Sequence, residues 1–169
     1  MKVTEDTSKG PLVYAADLKI RKPHMLFQAT GTAQLPASVT FHNFSRTIDL
    51  SINGNEMQMK PTSKLKFEFE FHSHALPGKK LTWMKSKEWL WLNLDCMDES
   101  GTLFAQFKGH KSWTGKKSGR LEIYQPAEQA LTDELVVTAL ADVYLQLMSG
   151  LSASSAAGAS AGVSAAVSV

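Results

Sequence analysis

The stretch best equipped for chemistry is Lys108-Gly109-His110-Lys111-Ser112-Trp113-Thr114-Gly115-Lys116-Lys117-Ser118-Gly119-Arg120, which holds five basic residues, one histidine, one tryptophan and no acid. Such a loop suits an anion. Its glycines let backbone amides approach an oxyanion, the lysines act as point charges, and Arg120 can grip two phosphate oxygens at once. Trp113 has the amphipathic ring that settles at a membrane interface. A hairpin kept in solution by its charge is the competing reading. The loop is not a P-loop, because five residues separate Gly109 from Gly115 and Lys117 stands where a hydroxyl should follow the lysine. A second basic cluster, Lys79, Lys80, Lys85 and Lys87, flanks Trp83 and precedes Trp89 and Trp91. If both clusters share one end of the fold they form a composite patch; on an edge strand the lysines would serve to block edge pairing instead. The candidate lipid or anion site is therefore Lys111, Lys116, Lys117, Arg120, Lys79, Lys80 and Trp113.

Other reactive side chains point less clearly to chemistry. His72-Ser73-His74 puts two imidazoles on one strand face, but no third and fourth metal ligand is evident, so no metal is expected. Cys96 shares a face with Leu90, Leu92 and Leu94 and reads as a small buried hydrophobe, with Asp95 and Asp98 opposing a thiolate. No nucleophile–base spacing, paired-carboxylate motif or nucleotide fingerprint is present, so neither catalysis nor a cofactor is expected. Trp89 and Trp91 lie on the strand face opposite Leu90, Leu92 and Leu94 and could anchor a protein partner.

Composition narrows the class further. In 169 residues, 18 Lys+Arg against 16 Asp+Glu leave a charge of only +2, too little for a dedicated nucleic-acid binder. With 43% hydrophobic and 20% charged residues the chain suits one soluble domain. A single cysteine forbids an internal disulfide and fits a reducing compartment. Residues 1–9 are polar, carry no secretory apolar run and read as a flexible lead into the domain, which points to a cytoplasmic protein, peripheral to a membrane if the lipid site is real.

The elements that must position these residues follow from hydrophobic period. Lys64 to His72 alternates apolar with polar, so a strand would bury Leu65, Phe67, Phe69 and Phe71 on one face. The same test marks 12–19, 25–29, 38–41, 47–52, 56–60, 81–85, 90–97, 103–108 and 119–124, about ten strands in all. Asn53-Gly54-Asn55, Pro77-Gly78 and Asp98-Glu99-Ser100-Gly101 provide the turns.

At Thr132 the period changes. A helix capped by Thr132, with Asp133 and Glu134 at its positive end, is predicted over about 133–148 and ends near Gly150. Between Leu135 and Met148 only Thr138, Asp142 and Gln146 are polar, one narrow stripe at i, i+4 and i+8. A helix lying on a sheet needs a far narrower apolar face, so this one must be enclosed on nearly all sides. Asp142 at its middle and a length below bilayer thickness argue against a membrane span. Residues 150–169, rich in Ser, Ala and Gly, read as a flexible tail after a domain spanning 10–149. The expected fold is mainly β with one buried helix: a closed antiparallel barrel of about ten to twelve strands around that helix.

Leu81-Thr82-Trp83, Leu94 to Gly101, Ala105-Gln106-Phe107, Ser112-Trp113, Ser118 to Ile123 and Asp133 to Ala141 resemble uncharacterised fungal proteins of the tubby C-terminal-like superfamily, which includes LURP-one-related proteins and phospholipid scramblases. The likeness is strongest over Leu81 to Ala141 and weaker back to Pro11. It implies a barrel of twelve strands around a hydrophobic helix. Tubby proteins bind phosphoinositides, but none of their binding positions matches residue by residue here, so the likeness transfers no site. The expected function is a non-catalytic binding module that recognises anionic membrane lipid through the basic loop. A protein-interaction scaffold using Trp89 and Trp91 is the alternative. A carrier of a small apolar ligand, a third reading, would need the helix outside and the cavity empty.

Overall fold

A computed structural model describes residues 1–4, 12–30, 36–42, 45–63, 66–86, 92–111, 117–125, 128–154 and 165–168. The strands are β1 (Lys2–Thr4), β2 (Leu12–Leu18), β3 (Met25–Ala29), β4 (Ala37–Phe41), β5 (Ile48–Ile52), β6 (Asn55–Pro61), β7 (Phe69–His72), β8 (Lys80–Lys85), β9 (Leu94–Asp98), β10 (Leu103–Lys111) and β11 (Lys117–Ile123). Helix α1 (Gln129–Ser154) follows, then the short strand β12 (Ala165–Ser168).

From β1 to β11 each strand pairs antiparallel with the next in sequence, so eleven strands form one meandering sheet. Alternation sets its faces: β4 and β5 each run buried, half-buried, buried along their length, so one face meets the core and the other meets water. Asn53 and Gly54 turn β5 into β6 with φ of 52° and 80°, the left-handed conformation that a two-residue hairpin needs. Gly119 is required for a different reason. A Cβ there would lie 2.2 Å from the Phe107 ring, which lies across its backbone.

The expectation of a closed antiparallel barrel is not met. The eleven-strand antiparallel sheet is not closed on itself: among the described residues β1 and β11 do not pair with each other, and each pairs in parallel with β12 instead. The reason is parity. In an up-and-down meander with an odd number of strands the first and last point the same way, so they cannot meet as an antiparallel pair. Parallel neighbours in turn need a long crossover, usually a helix, and α1 lies between β11 and β12 in the chain. Both strands absent from the sequence-based count fall in the segments read as flexible, β1 within 1–9 and β12 within 150–169.

The helix is enclosed as its composition requires. From Asp133 to Val143 every residue is buried without a break, about three full turns. Val136 and Val137 are poor helix formers, yet both have no exposed surface, so packing overrides propensity. Inward-facing Val39, Ile48, Leu50, Phe69, Phe71, Leu81, Trp83, Leu94, Phe107 and Leu121 surround it. The helix also begins earlier than expected. It starts at Gln129, so Asp133 and Glu134 sit inside it, buried, where the sequence placed them in the first turn after a Thr132 cap.

A basic end over a buried carboxyl

Because the strands alternate in direction, their connections gather at two ends. The turns after β5, β7 and β9 lie at the end where α1 begins. The connections after β2, β4, β6, β8 and β10 lie at the other.

This topology separates the two clusters of basic residues. Lys79 and Lys80 sit beside the β9–β10 turn, since β8 pairs Leu81 with Asp98, whereas Lys111 and Lys117 close the β10–β11 ladder at the opposite end. No composite patch forms. Lys79 is also 3.0 Å from Asp98, and Lys80 lies 3.1 Å from Glu99 and 3.5 Å from Glu70. Asp98 accepts from Ser100 and Thr102 as well as Lys79, which together hold its carboxyl well below the usual range. Nor is β8 an edge strand, because it lies between β7 and β9. Arg120 is exposed on the outer face, 3.4 Å from Glu122, which also pairs with Lys108 at 2.8 Å. Trp113, Lys116, Lys87, Trp89 and Trp91 lie outside the described residues; for Lys111 and Lys117 the backbone position alone is described.

The remaining candidates resolve simply. His72 is exposed, and His74 Nε2 lies 3.0 Å from the Glu56 carbonyl oxygen. Among the described residues no group of three His, Cys, Asp or Glu could hold a metal ion. Cys96 is fully buried, and burial pushes its thiol far above the usual range, so it is inert as a nucleophile. Phe69 and Phe71 are buried, Phe67 is half-buried, and Leu65 lies outside the described residues.

The end opposite the start of α1 has a feature the loop analysis missed. The β2–β3 turn reads Lys19-Ile20-Arg21-Lys22-Pro23-His24, and Ile20 at its tip is 99% exposed. Lys19, Arg21 and Lys22 are exposed too, and none forms an ion pair with a described carboxylate. An apolar residue isolated among cations in a turn breaks the alternating period with nothing to pack against, and that was the signal available in the sequence.

Beside this turn, the mouth of the sheet is built from inward-facing positions. Lys85 shares the pleat face of buried Trp83, one rung nearer the mouth; Arg46 precedes buried Ile48 by two residues and has the unusual φ of 55°. Both cations lie over Phe67, Arg46 at 4.3 Å and Lys85 at 5.8 Å from the ring centre. Arg46 Nη2 also donates to the Lys66 carbonyl at 3.2 Å.

Within the sheet, the polar stripe of α1 meets its partners unevenly. Trp83 Nε1 donates to Thr138 Oγ1 at 3.0 Å, and the Thr138 hydroxyl donates to the Glu134 carbonyl at 2.7 Å. One turn further, Asp142 has no exposed surface and accepts at Oδ1 from Gln146 Nε2 at 3.0 Å. Its Oδ2 has no hydrogen-bond partner among the described residues. Burial drives the Asp142 carboxyl up to about 7, against the opposing pull of Gln146, Arg46 and Lys85. The site thus combines exposed cations, an apolar tip and a buried carboxyl held above its ordinary range. No family model matches this chain, and the searches of curated proteins and of solved structures likewise found no match.

Proposed function

We propose that this protein is a non-catalytic binding module that docks on anionic membrane lipid through its basic end. The observation that carries the reading is the β2–β3 turn, where Ile20 stands 99% exposed between Lys19, Arg21 and Lys22. Cations flanking an exposed aliphatic tip match a bilayer surface in two ways: phosphate for the charges and acyl chain for the apolar side chain. Lys85 belongs to the same end, as do the backbone positions of Lys111 and Lys117. Lys79 and Lys80 are not part of this docking surface. The association proposed here is peripheral and cytoplasmic; among the described residues no helix is long and apolar enough to cross a membrane. Distant kinship with tubby-like proteins belongs to the same proposal, supported by a single antiparallel meander wrapped around an apolar helix.

Sedimentation with vesicles of phosphatidylcholine alone, or with added phosphatidylserine or phosphoinositide, tests the reading at low and physiological salt. Each cation near an anionic surface is worth about 1 kcal/mol, so charge reversal of Lys19, Arg21 and Lys22 should weaken binding to anionic vesicles at least a hundredfold. Ile20→Ser should weaken it less and leave its salt dependence unchanged. Reversal at Lys79 and Lys80 should have little effect. Absence of binding at either salt, or equal binding to neutral vesicles, would sink the proposal and direct the search to protein partners of Trp89 and Trp91.

A further inference from the structure

Asp142 is the one described carboxyl on α1 that is buried with an oxygen lacking a hydrogen-bond partner among the described residues. Among the described residues, the buried inward-facing positions of β1 to β11 are apolar apart from Tyr14 of β2 and Cys96 of β9, and only these two can titrate. Tyr14 is committed to Asp133 at the far end, and the Cys96 thiol stays protonated. Among the described residues the charges that act on Asp142 are Arg46 and Lys85, both at the mouth; the other titratable groups there include His24, whose Nδ1 accepts from the Phe41 amide, and Tyr144, whose ring lies against Phe41.

The two cations differ in freedom. Arg46 is fixed by the Lys66 carbonyl and the Phe67 face. Lys85 has an exposed side chain, forms no ion pair with a described carboxylate, and occupies an inward-facing position on a flexible four-carbon stem.

We infer that Asp142 and Lys85 form a proton-operated latch at the basic end: with Asp142 protonated the ammonium stays at the surface, and with Asp142 ionised it swings past Phe67 to the vacant oxygen. An ionised carboxylate enclosed by apolar walls strongly favours any counter-charge that can reach it, whereas a neutral carboxyl exerts no such pull. Lys85 is thereby withdrawn from solvent as pH rises. The effect on docking rests on the lipid reading, so that alkaline conditions weaken attachment; the movement itself does not.

Acylation of Lys85 by an amine-reactive reagent, followed by mass spectrometry, reads the latch without any lipid. At pH 8 the Asp142→Asn protein should react about tenfold faster at Lys85 than the wild type, and at pH 5.5 the two should match. Equal rates at pH 8 would overturn the latch. Lys85→Gln gives a second test on an exposed position: carbon-13 titration of the Asp142 carboxyl should show its midpoint rising by about one pH unit, and an unchanged midpoint would overturn the latch too. Vesicle sedimentation separates the two ideas. Loss of anionic-vesicle binding by about fivefold between pH 5.5 and 8, absent in Asp142→Asn, supports the coupling. Lys85 protection without vesicle binding at any pH leaves the latch standing and overturns only its link to lipid.

Discussion

The two ends of the buried stretch of α1, Asp133 to Val143, treat carboxylates in opposite ways. Where the helix begins, Asp133 accepts from the Tyr14 hydroxyl at 2.7 Å, Gln129 Nε2 at 2.8 Å and Asn53 Nδ2 at 3.0 Å. Next to it Glu134 accepts from Ser73 Oγ at 2.5 Å and from the backbone amides of His74 and Ala75 at 3.0 and 2.9 Å. Each carboxylate oxygen there has at least one donor, although Asn53 Oδ1 lacks one. Two turns further along, Asp142 has a single donor among the described residues and one oxygen without any. A buried charge with a full set of donors acts as a clamp, fixing where the helix sits against the β5–β6 and β7–β8 turns. A buried charge without them stores a sensitivity to conditions, because its protonation can change without disrupting a network.

Breaking the clamp is expected to have the largest effect. Glu134→Ala strands the Ser73 hydroxyl and two backbone amides, a loss of about 5 kcal/mol of stability by denaturant titration. A loss below about 1 kcal/mol would show that the two ends do not differ in kind. The other end should respond through pH. Asp142 holds its proton more tightly in the folded chain, about 7 against 3.8 unfolded. The associated stability is fully present below about pH 4 and lost as pH rises through about 7. The difference approaches about 4 kcal/mol. Unfolding curves at pH 4.5 and 8 should therefore diverge in the wild type, and Asp142→Asn should flatten that dependence. A slope that survives the substitution would assign the pH response elsewhere. Between the ends, Thr138→Val removes the acceptor of the Trp83 indole N–H and should cost about 1 kcal/mol, independent of pH.

Much of this architecture was legible in advance, because strand alternation is a local property. All ten strands located by period two exist, with boundary shifts where Phe69 rather than Lys64 opens β7 and Leu94 rather than Leu90 opens β9. The enclosure of α1 was readable from the narrow stripe of Thr138, Asp142 and Gln146. What escaped was whatever depends on pairing at a distance. Lys2-Val3-Thr4 is too short to show a period, and what makes it a strand is its pairing with β2 and β12, which buries Val3. The end on which Lys79 and Lys80 fall depends on strand direction summed along the meander, which no window of sequence contains. Asp133 and Glu134 resembled the first turn of a helix because acids favour its positive end; the donors Tyr14 and Ser73 that satisfy them lie 119 and 61 residues away.

The order of strands and helix has a consequence for synthesis. A nascent chain that has emerged only as far as Tyr124 can pair all eleven antiparallel strands, yet the helix that fills their concave face has not been made. Until it arrives, Val39, Leu50, Phe69, Trp83 and Leu121 have nothing to pack against, an apolar face open to chaperones or to aggregation. Ribosomal pausing before Gln129 would prolong that exposure; rapid delivery of the helix would end it.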